Sequence, residues 1–179
     1  MKRSLLIALL FLAACQDETT APAPIALTEE ALGHYCQMNL LEHDGPKGQI
    51  HLEGLPAPLF FAQVRDTMAY LHMPEQSHAV TIAYVQDMAG ASWTEPGPWI
   101  SAKDAIYVVG SRMKGGMGAS EFVPFSNRAE AESFAAEHGG SLRAFSDISA
   151  AEALAPDMPE PSPGSEGGDI ARRLQELRN

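Results

Sequence analysis

Cysteine is scarce in this 179-residue chain, which contains only Cys15 and Cys36. No Cys-x-x-Cys pair and no His-x-x-x-His pair occurs, so the common zinc motifs are missing. The chain also lacks a Gly-x-Ser-x-Gly element and a phosphate-binding loop, which excludes the usual sequence signals of serine hydrolases and P-loop enzymes. None of these four motifs therefore points to a function.

Positive charge is also scarce. Lysine and arginine number 12 against 23 acidic residues, and the formal net charge is −11. Loss of Lys2 and Arg3 with a cleaved leader would change that charge to −13. A surface this acidic opposes binding to nucleic acid and to anionic lipid headgroups. The apolar fraction of 45% is ordinary for a chain with a hydrophobic core.

Long apolar runs are missing as well, since residues 5–12 form an apolar segment too short to span a membrane. The segment follows two cations, as in a secretory signal peptide. It ends in Leu12-Ala13-Ala14-Cys15, which resembles a bacterial lipobox. The resemblance implies cleavage of residues 1–14 and lipidation of Cys15, and Gln16 indicates an outer-membrane address. The alternatives are a plain secretory signal with cleavage nearby and a poorly formed core segment.

If Cys15 carries lipid, Cys36 is the only thiol left and has no disulfide partner in an oxidising compartment. Met38 follows two residues later. We expect an extended segment over residues 33–38, in which both sulfurs point to one face. The alternatives are a small buried hydrophobe for Cys36 and core packing for Met38.

A loop over residues 39–48 can return His43 toward these sulfurs. Thiolate, thioether and imidazole together suit Cu(I), whereas Zn(II) rarely accepts methionine. His43 as a solvated loop residue is the alternative, and His34, two residues before Cys36, can share its face. The sequence therefore predicts a Cu(I) site around Cys36.

A second group of thioethers lies in a glycine-rich loop over residues 111–120, which contains Met113 and Met117. Such a loop suits an adaptable metal ligand or a contact surface. Packing of these methionines onto Trp93 or Trp99 is the alternative.

The periodicity of apolar residues predicts an α+β fold of two similar ββαβ halves, residues 31–98 and 99–154. Residues 15–30 are predicted to be a tether, and residues 155–179 a disordered acidic tail rich in proline and glycine. The predicted strands cover residues 33–38, 49–53, 79–86, 104–110, 121–125 and 142–145, and the predicted helices cover residues 59–72, 127–138 and 148–154.

With these motifs the chain resembles the nitrous oxide reductase accessory lipoproteins, the NosL family. The matching residues are Leu12-Ala13-Ala14-Cys15, Tyr35-Cys36-Gln37-Met38, His43-Asp44-Gly45-Pro46-Lys47, Ile50 and residues 116–126. The resemblance implies a Cu(I)-binding lipoprotein facing the periplasm, built of two ββαβ halves distantly similar to organomercurial lyase. It implies a role in assembly of the copper centre of nitrous oxide reductase during denitrification.

The family motifs place Cys36 and Met38 on the implied metal site and Met117 on a second motif. This match favours Met117 over Met113, and His43 matches a recurring histidine. One departure is Gln37, where many members have glycine.

The resemblance also implies partners, namely an ABC-type membrane complex and apo nitrous oxide reductase. For such a carrier we expect ligand exchange rather than catalysis, because a low coordination number lets an incoming ligand attack the metal. Two other functions stay open from the sequence. One is a thiol-based enzyme that cleaves organometal bonds, which needs a second thiol or an acid beside Cys36. The other is a lipid-anchored protein-binding module that uses Met113 and Met117 as its contact surface.

Overall fold

Two antiparallel sheets form the structure, a computed structural model that describes residues 21–155. The predicted signal peptide, the predicted lipidation site at Cys15 and residues 156–179 of the predicted tail lie outside the described residues. Within residues 21–155, no helix has the length and apolar character needed to cross a bilayer.

The first sheet contains four strands with one helix between the second and the third. Its elements are β1 (Gly48–Leu52), β2 (Leu59–Phe61), α1 (Val64–His72), β3 (Val80–Gln86) and β4 (Trp99–Ser101). The strand order is β2-β1-β3-β4, and each pair is antiparallel. The central strand β1 is buried along its whole length, which fits its position between two neighbours.

The second sheet repeats the same connection with three strands. It is built from β5 (Ile106–Val109), β6 (Val123–Phe125), α2 (Arg128–His138) and β7 (Ser141–Ala144), in the order β6-β5-β7. A short helix, α3 (Ala150–Ala153), follows. In both sheets the first strand of the unit is central, and the helix joins the second strand to the third. The predicted α+β fold of two ββαβ units is therefore confirmed.

Local signals explain several element ends. The side chain of Asn127 accepts hydrogen bonds from the N–H groups of Ala129 and Glu130, which caps α2 at 2.9 and 3.3 Å. The same helix ends at Gly139, whose φ of 77° lies in the left-handed region that glycine adopts readily. Helix α1 ends at His72, because the next residue, Met73, precedes Pro74 and proline disfavours a helical conformation in the residue before it.

The main hydrophobic core lies between the two units. Val64 and Met68 of α1 pack in one cluster with Tyr107 of β5 and with Phe122, which precedes β6. The prediction that Met68 is a core residue is confirmed, since its side chain is buried. The two halves therefore share a core.

Three predicted elements differ from the structure. Residues 33–38 are not a strand but a tight turn. Residues 59–61 form β2 instead of starting the helix, because they pair with β1, and a short apolar run does not distinguish a strand from a buried helix. Strand β4 was not predicted; it pairs with β3 on the first sheet.

Candidate metal centre

Residues 33–38, here called the Cys36 turn, reverse the chain tightly. The N–H of Gly33 donates to the carbonyl of Met38 at 3.0 Å, and the N–H of Gln37 donates to the carbonyl of Gly33 at 2.8 Å. The expectation of an extended segment is therefore wrong. Cys36 and Met38 lie in one turn, so the alternation of side chains along a strand does not apply to them.

Gln37 holds the Cys36 turn in an unusual backbone conformation. Its φ of 56° lies in the left-handed region, which non-glycine residues adopt rarely. The side-chain Nε2 donates to the carbonyls of Gly33 and His34, at 3.2 and 2.8 Å. These two bonds offset part of the conformational cost of the left-handed backbone.

The Cys36 side chain is half-buried and packs on a small cluster that includes Leu40 and Ala62. A Cβ placed on Gly33 would lie 2.4 Å from Cys36 Sγ, so the sulfur occupies the space that glycine leaves open. Met38, in contrast, is 40% exposed. The turn thus presents one half-buried thiol side chain and one exposed thioether side chain.

Two rings of the Cys36 turn fasten it to the first unit. The ring centroids of His34 and Tyr35 lie 5.7 and 5.4 Å from that of Phe61. Tyr35 Oη also donates to Met73 Sδ at 3.3 Å, and burial raises the pKa of Tyr35. His34 N–H donates to the carbonyl of Phe60 at 2.6 Å. The structure therefore gives His34 a packing role.

His43 follows a single 3-10 turn, Leu40–Glu42, and is half-buried. Its Nε2 atom is buried and has no hydrogen-bond partner among the described residues. The ammonium of Lys47 donates to the carbonyl of His43 at 2.6 Å and to that of Gly45, which fixes the backbone here. Burial lowers the pKa of Lys47 to about 8, and the nearby acidic side chains of Glu121 and Asp44 act in the opposite direction.

Residues 113–121, here called the Met117 loop, form a hydrogen-bonded hairpin. At its base the N–H of Glu121 donates to the carbonyl of Met113 at 3.2 Å. At its tip the N–H of Gly118 donates to the carbonyl of Gly115 at 2.8 Å, and Gly118 has a φ of 81°. Met117 is at the tip and 40% exposed. Met113 is at the base and half-buried, so the hairpin separates the two methionines.

The Cys36 turn, His43 and the Met117 loop meet around Ala62. A Cβ placed on Gly116 would lie 2.8 Å from His43 Cβ and 2.9 Å from the carbonyl oxygen of Ala62. Ala62 belongs to the cluster on which Cys36 packs. The structure therefore brings together the segments that carry all four predicted ligands, and it places Met113 at the other end of its hairpin.

Thioether sulfurs matter for any metal site at this position. In the part of the chain that the structure describes, no three His, Cys, Asp or Glu side chains are grouped to hold a metal ion. The predicted ligands offer one thiol, two thioethers and one imidazole, and thioether sulfur is a donor that suits soft metal ions and that Zn(II) sites rarely use.

Sequence reasoning missed two buried polar residues behind the Met117 loop, Gln63 and Glu121. The carboxyl group of Glu121 is fully buried and accepts hydrogen bonds from the N–H groups of Val64 and Arg65 at 3.1 and 2.8 Å, which caps α1. Burial raises the pKa of Glu121 to about 8, while its N–H donors act in the opposite direction. A single acidic residue directly before the apolar run 122–125 was the only signal in the sequence.

Comparison with known proteins adds independent information on the region that contains the site. The family model NosL matches residues 24–153. The copper-binding lipoprotein NosL of Achromobacter cycloclastes is 51% identical over 175 residues, which cover 95% of this chain and 91% of that protein. The copper-binding lipoprotein NosL of Stutzerimonas stutzeri is 33% identical over 128 residues, which cover 70% of this chain and 65% of that protein.

A solved structure also matches. The crystal structure of the copper chaperone NosL from Shewanella denitrificans superimposes with a TM-score of 0.68 at 34% sequence identity. The match covers 74% of this chain and 98% of that chain. The region matched by the family model includes the Cys36 turn, His43 and the Met117 loop.

Proposed function

The chain belongs to the NosL family, and from this premise we propose that it is a copper chaperone that carries Cu(I). The proposed ligands are Cys36 and Met38, with Met117 or His43 completing the set. The observation that carries this proposal is the meeting of the Cys36 turn, His43 and the Met117 loop around Ala62. The names of two relatives, a copper-binding lipoprotein and a copper chaperone, support copper as the metal.

The donor chemistry favours the monovalent state. One thiolate and up to two thioethers are soft ligands, and Cu(I) prefers them to hard oxygen ligands. The buried Nε2 of His43, for which the described residues supply no hydrogen-bond partner, suits a further borderline ligand. A metal-ligating histidine usually has its orientation set by surrounding groups, and Lys47 fixes the backbone of His43.

Copper is cargo in this proposal, and release proceeds by ligand exchange. Met38 and Met117 are each 40% exposed, so a ligand from a partner protein can approach the metal from their side. The half-buried Cys36 thiolate then remains the last ligand to leave. This exchange needs no catalytic residue, and none is assigned.

The proposed location follows from the leader. We infer that lipid on Cys15 anchors the protein to the periplasmic face of a membrane, with Gln16 directing it to the outer membrane. The acidic net charge of −11 leaves the anchor as the main membrane attachment. The proposed partners are an ABC-type membrane complex and apo nitrous oxide reductase, whose copper centre the protein would help to assemble.

Copper binding is tested by titrating Cu(I) in competition with a chromophoric chelator. The full chain carries Cys15→Ser, so that Cys36 is the only thiol. We expect one tightly bound Cu(I), loss of tight binding in Cys36→Ala, and weaker binding in Met117→Leu than in the matched control Met113→Leu. X-ray absorption on the loaded protein would count sulfur and nitrogen neighbours. Unchanged affinity in Cys36→Ala would exclude the site.

Delivery is tested in cells that make nitrous oxide reductase but lack this protein. We expect the reductase from such cells to contain less copper, and the wild-type chain to restore it. The Cys36→Ala variant should fail to restore copper although the protein is present and anchored. If that variant fully restored the copper content of the reductase, copper delivery through Cys36 would be excluded.

A further inference from the structure

Gln63 lies directly before α1 and contacts the Met117 loop from the first unit. Its side chain is only 4% exposed. Its Oε1 accepts the N–H of Met117 at 3.3 Å, and its Nε2 donates to Asp66 Oδ1 at 3.0 Å. The side chain of Asp66 accepts a hydrogen bond, so the NH2 group of the Gln63 amide points toward it. The amide oxygen of Gln63 therefore faces Met117.

The backbone of the Met117 loop approaches this amide closely. A Cβ placed on Gly115 would lie 2.7 Å from Gln63 Oε1 and 2.5 Å from Glu121 Oε2. Only glycine fits between these two side chains, and its φ lies outside the left-handed region. The requirement for glycine at this position therefore comes from the contact with Gln63 and Glu121, not from the turn.

The base of the loop is fixed to the same place. Glu121 ends the Met117 loop and accepts the N–H groups of Val64 and Arg65, the two residues that follow Gln63. The start of α1 thus holds both the tip and the base of a loop that belongs to the second unit. The buried polar groups of this contact all have hydrogen-bond partners in only one arrangement of the loop and the helix. The contact therefore specifies where the loop lies.

We propose that Gln63 is a positioning residue for the Met117 ligand, an inference that rests on the proposed function. Its amide oxygen holds the tip of the loop beside Ala62, where Gly116 lies against His43. A ligand held in place before the metal arrives loses less conformational freedom on binding than a ligand on a mobile loop. Gln63 does not touch the metal; it acts through Met117.

The test is a double-mutant cycle on Cu(I) affinity in the full chain carrying Cys15→Ser. Gln63→Leu removes the acceptor at similar volume and should weaken Cu(I) binding about 10- to 100-fold, the usual effect of removing a group that orients a metal ligand. In a Met117→Leu background the same change should have no further effect, because its route to the metal is gone. X-ray absorption should show one sulfur neighbour fewer in Gln63→Leu.

Gln76→Leu is the matched control. Gln76 is half-buried and donates to the carbonyl of Tyr70 at 2.9 Å near the end of α1, away from the loop. It should lower the free energy of unfolding without changing Cu(I) affinity. Gly115→Ala is a second variant that leaves Gln63 in place; it should also weaken Cu(I) binding and show no further effect with Met117→Leu.

Two results would overturn the inference. One is an unchanged Cu(I) affinity in Gln63→Leu while the wild type binds Cu(I). The other is an equal loss of affinity with and without Met117, which would mean that Gln63 acts on the fold in general. If the wild type itself binds no Cu(I), the proposed function fails, and this inference fails with it.

Discussion

Gly33→Ala tests where the Cys36 sulfur lies without removing it. The added methyl group would lie 2.4 Å from Cys36 Sγ, far inside the ordinary contact distance of about 3.5–4 Å. Its other neighbours, Leu40 Cδ2 at 3.5 Å and Ala62 Cβ at 3.9 Å, are at ordinary distances. The φ of Gly33 is outside the left-handed region, so the new side chain adds no backbone strain. The change therefore acts on the sulfur.

The sulfur has to move by about 1 Å or more to restore an ordinary contact. Overpacking of this kind costs about 1–3 kcal/mol, and the lower entropy of an unfolded chain with alanine offsets about 0.4–1 kcal/mol of that. We therefore expect a modest loss in the free energy of unfolding. For Cu(I) affinity we expect a loss of about 10- to 100-fold, because a ligand is displaced but not removed.

Urea unfolding followed by tryptophan fluorescence gives the stability change, and chelator competition gives the Cu(I) affinity. Gly97→Ala is the matched control, since its Cβ would lie 2.6 Å from the carbonyl oxygen of Asp87 and contacts none of the predicted ligands. It should lose stability and keep its Cu(I) affinity. If Gly33→Ala bound Cu(I) as tightly as the wild type, the sulfur of Cys36 would not lie where the structure places it, or would not bind copper.

Three further predictions concern the fold around the site. Burial raises the pKa of Glu121 to about 8 from 4.5, so the folded protein holds a proton that the unfolded chain has lost between those values. Relative to Glu121→Gln, the wild-type free energy of unfolding should therefore fall by about 1.4 kcal/mol per pH unit between pH 5 and 8, as measured by urea unfolding. If the free energies of the two proteins changed with pH in the same way, this assignment would be contradicted. Gln37→Gly should be more stable than Gln37→Ala by about 1 kcal/mol in the same assay. Both variants lose the side-chain hydrogen bonds, but only alanine keeps the conformational cost of a φ of 56°. Equal stabilities of the two variants would argue against the left-handed conformation. Asn127→Ala should lower the free energy of unfolding by about 1 kcal/mol, because α2 loses its cap. Asn127→Asp keeps an acceptor and should lower it less. An alanine variant as stable as the wild type would mean that the cap contributes nothing to stability.

Much of the fold could be predicted from local patterns. The strands over β1, β3, β5 and β7 follow alternating or β-branched runs, and α2 has both a capping asparagine and a terminal glycine. The Cys36 turn could not be predicted in this way, because the residue that takes the left-handed conformation is Gln37 and not glycine. Strand β2 was also missed, since only its pairing with β1 distinguishes it from the start of a helix.

The candidate site also has a part that the sequence predicts and a part that it does not. The types of its donors are visible in the sequence, because thiol and thioether side chains are rare and close together around residue 36. The groups behind them are not visible, because Glu121 and Val64 are 57 residues apart in sequence and meet only in the folded chain. A buried glutamine or glutamate resembles a surface residue until its partners are known.

The two units share a topology but not a site. In the second unit the first two strands, β5 and β6, are joined by residues 110–122, which contain the Met117 loop. The equivalent connection in the first unit, residues 53–58 between β1 and β2, is short and contains no sulfur. The Cys36 turn comes instead from the segment before β1. The repeat therefore supplies a scaffold, and the proposed centre arises once, where an added segment of one unit meets an enlarged loop of the other. Neither unit alone contains the donor set, because Cys36 precedes β1 and Met117 lies between β5 and β6. Glu121 joins the two parts by accepting hydrogen bonds from the start of α1.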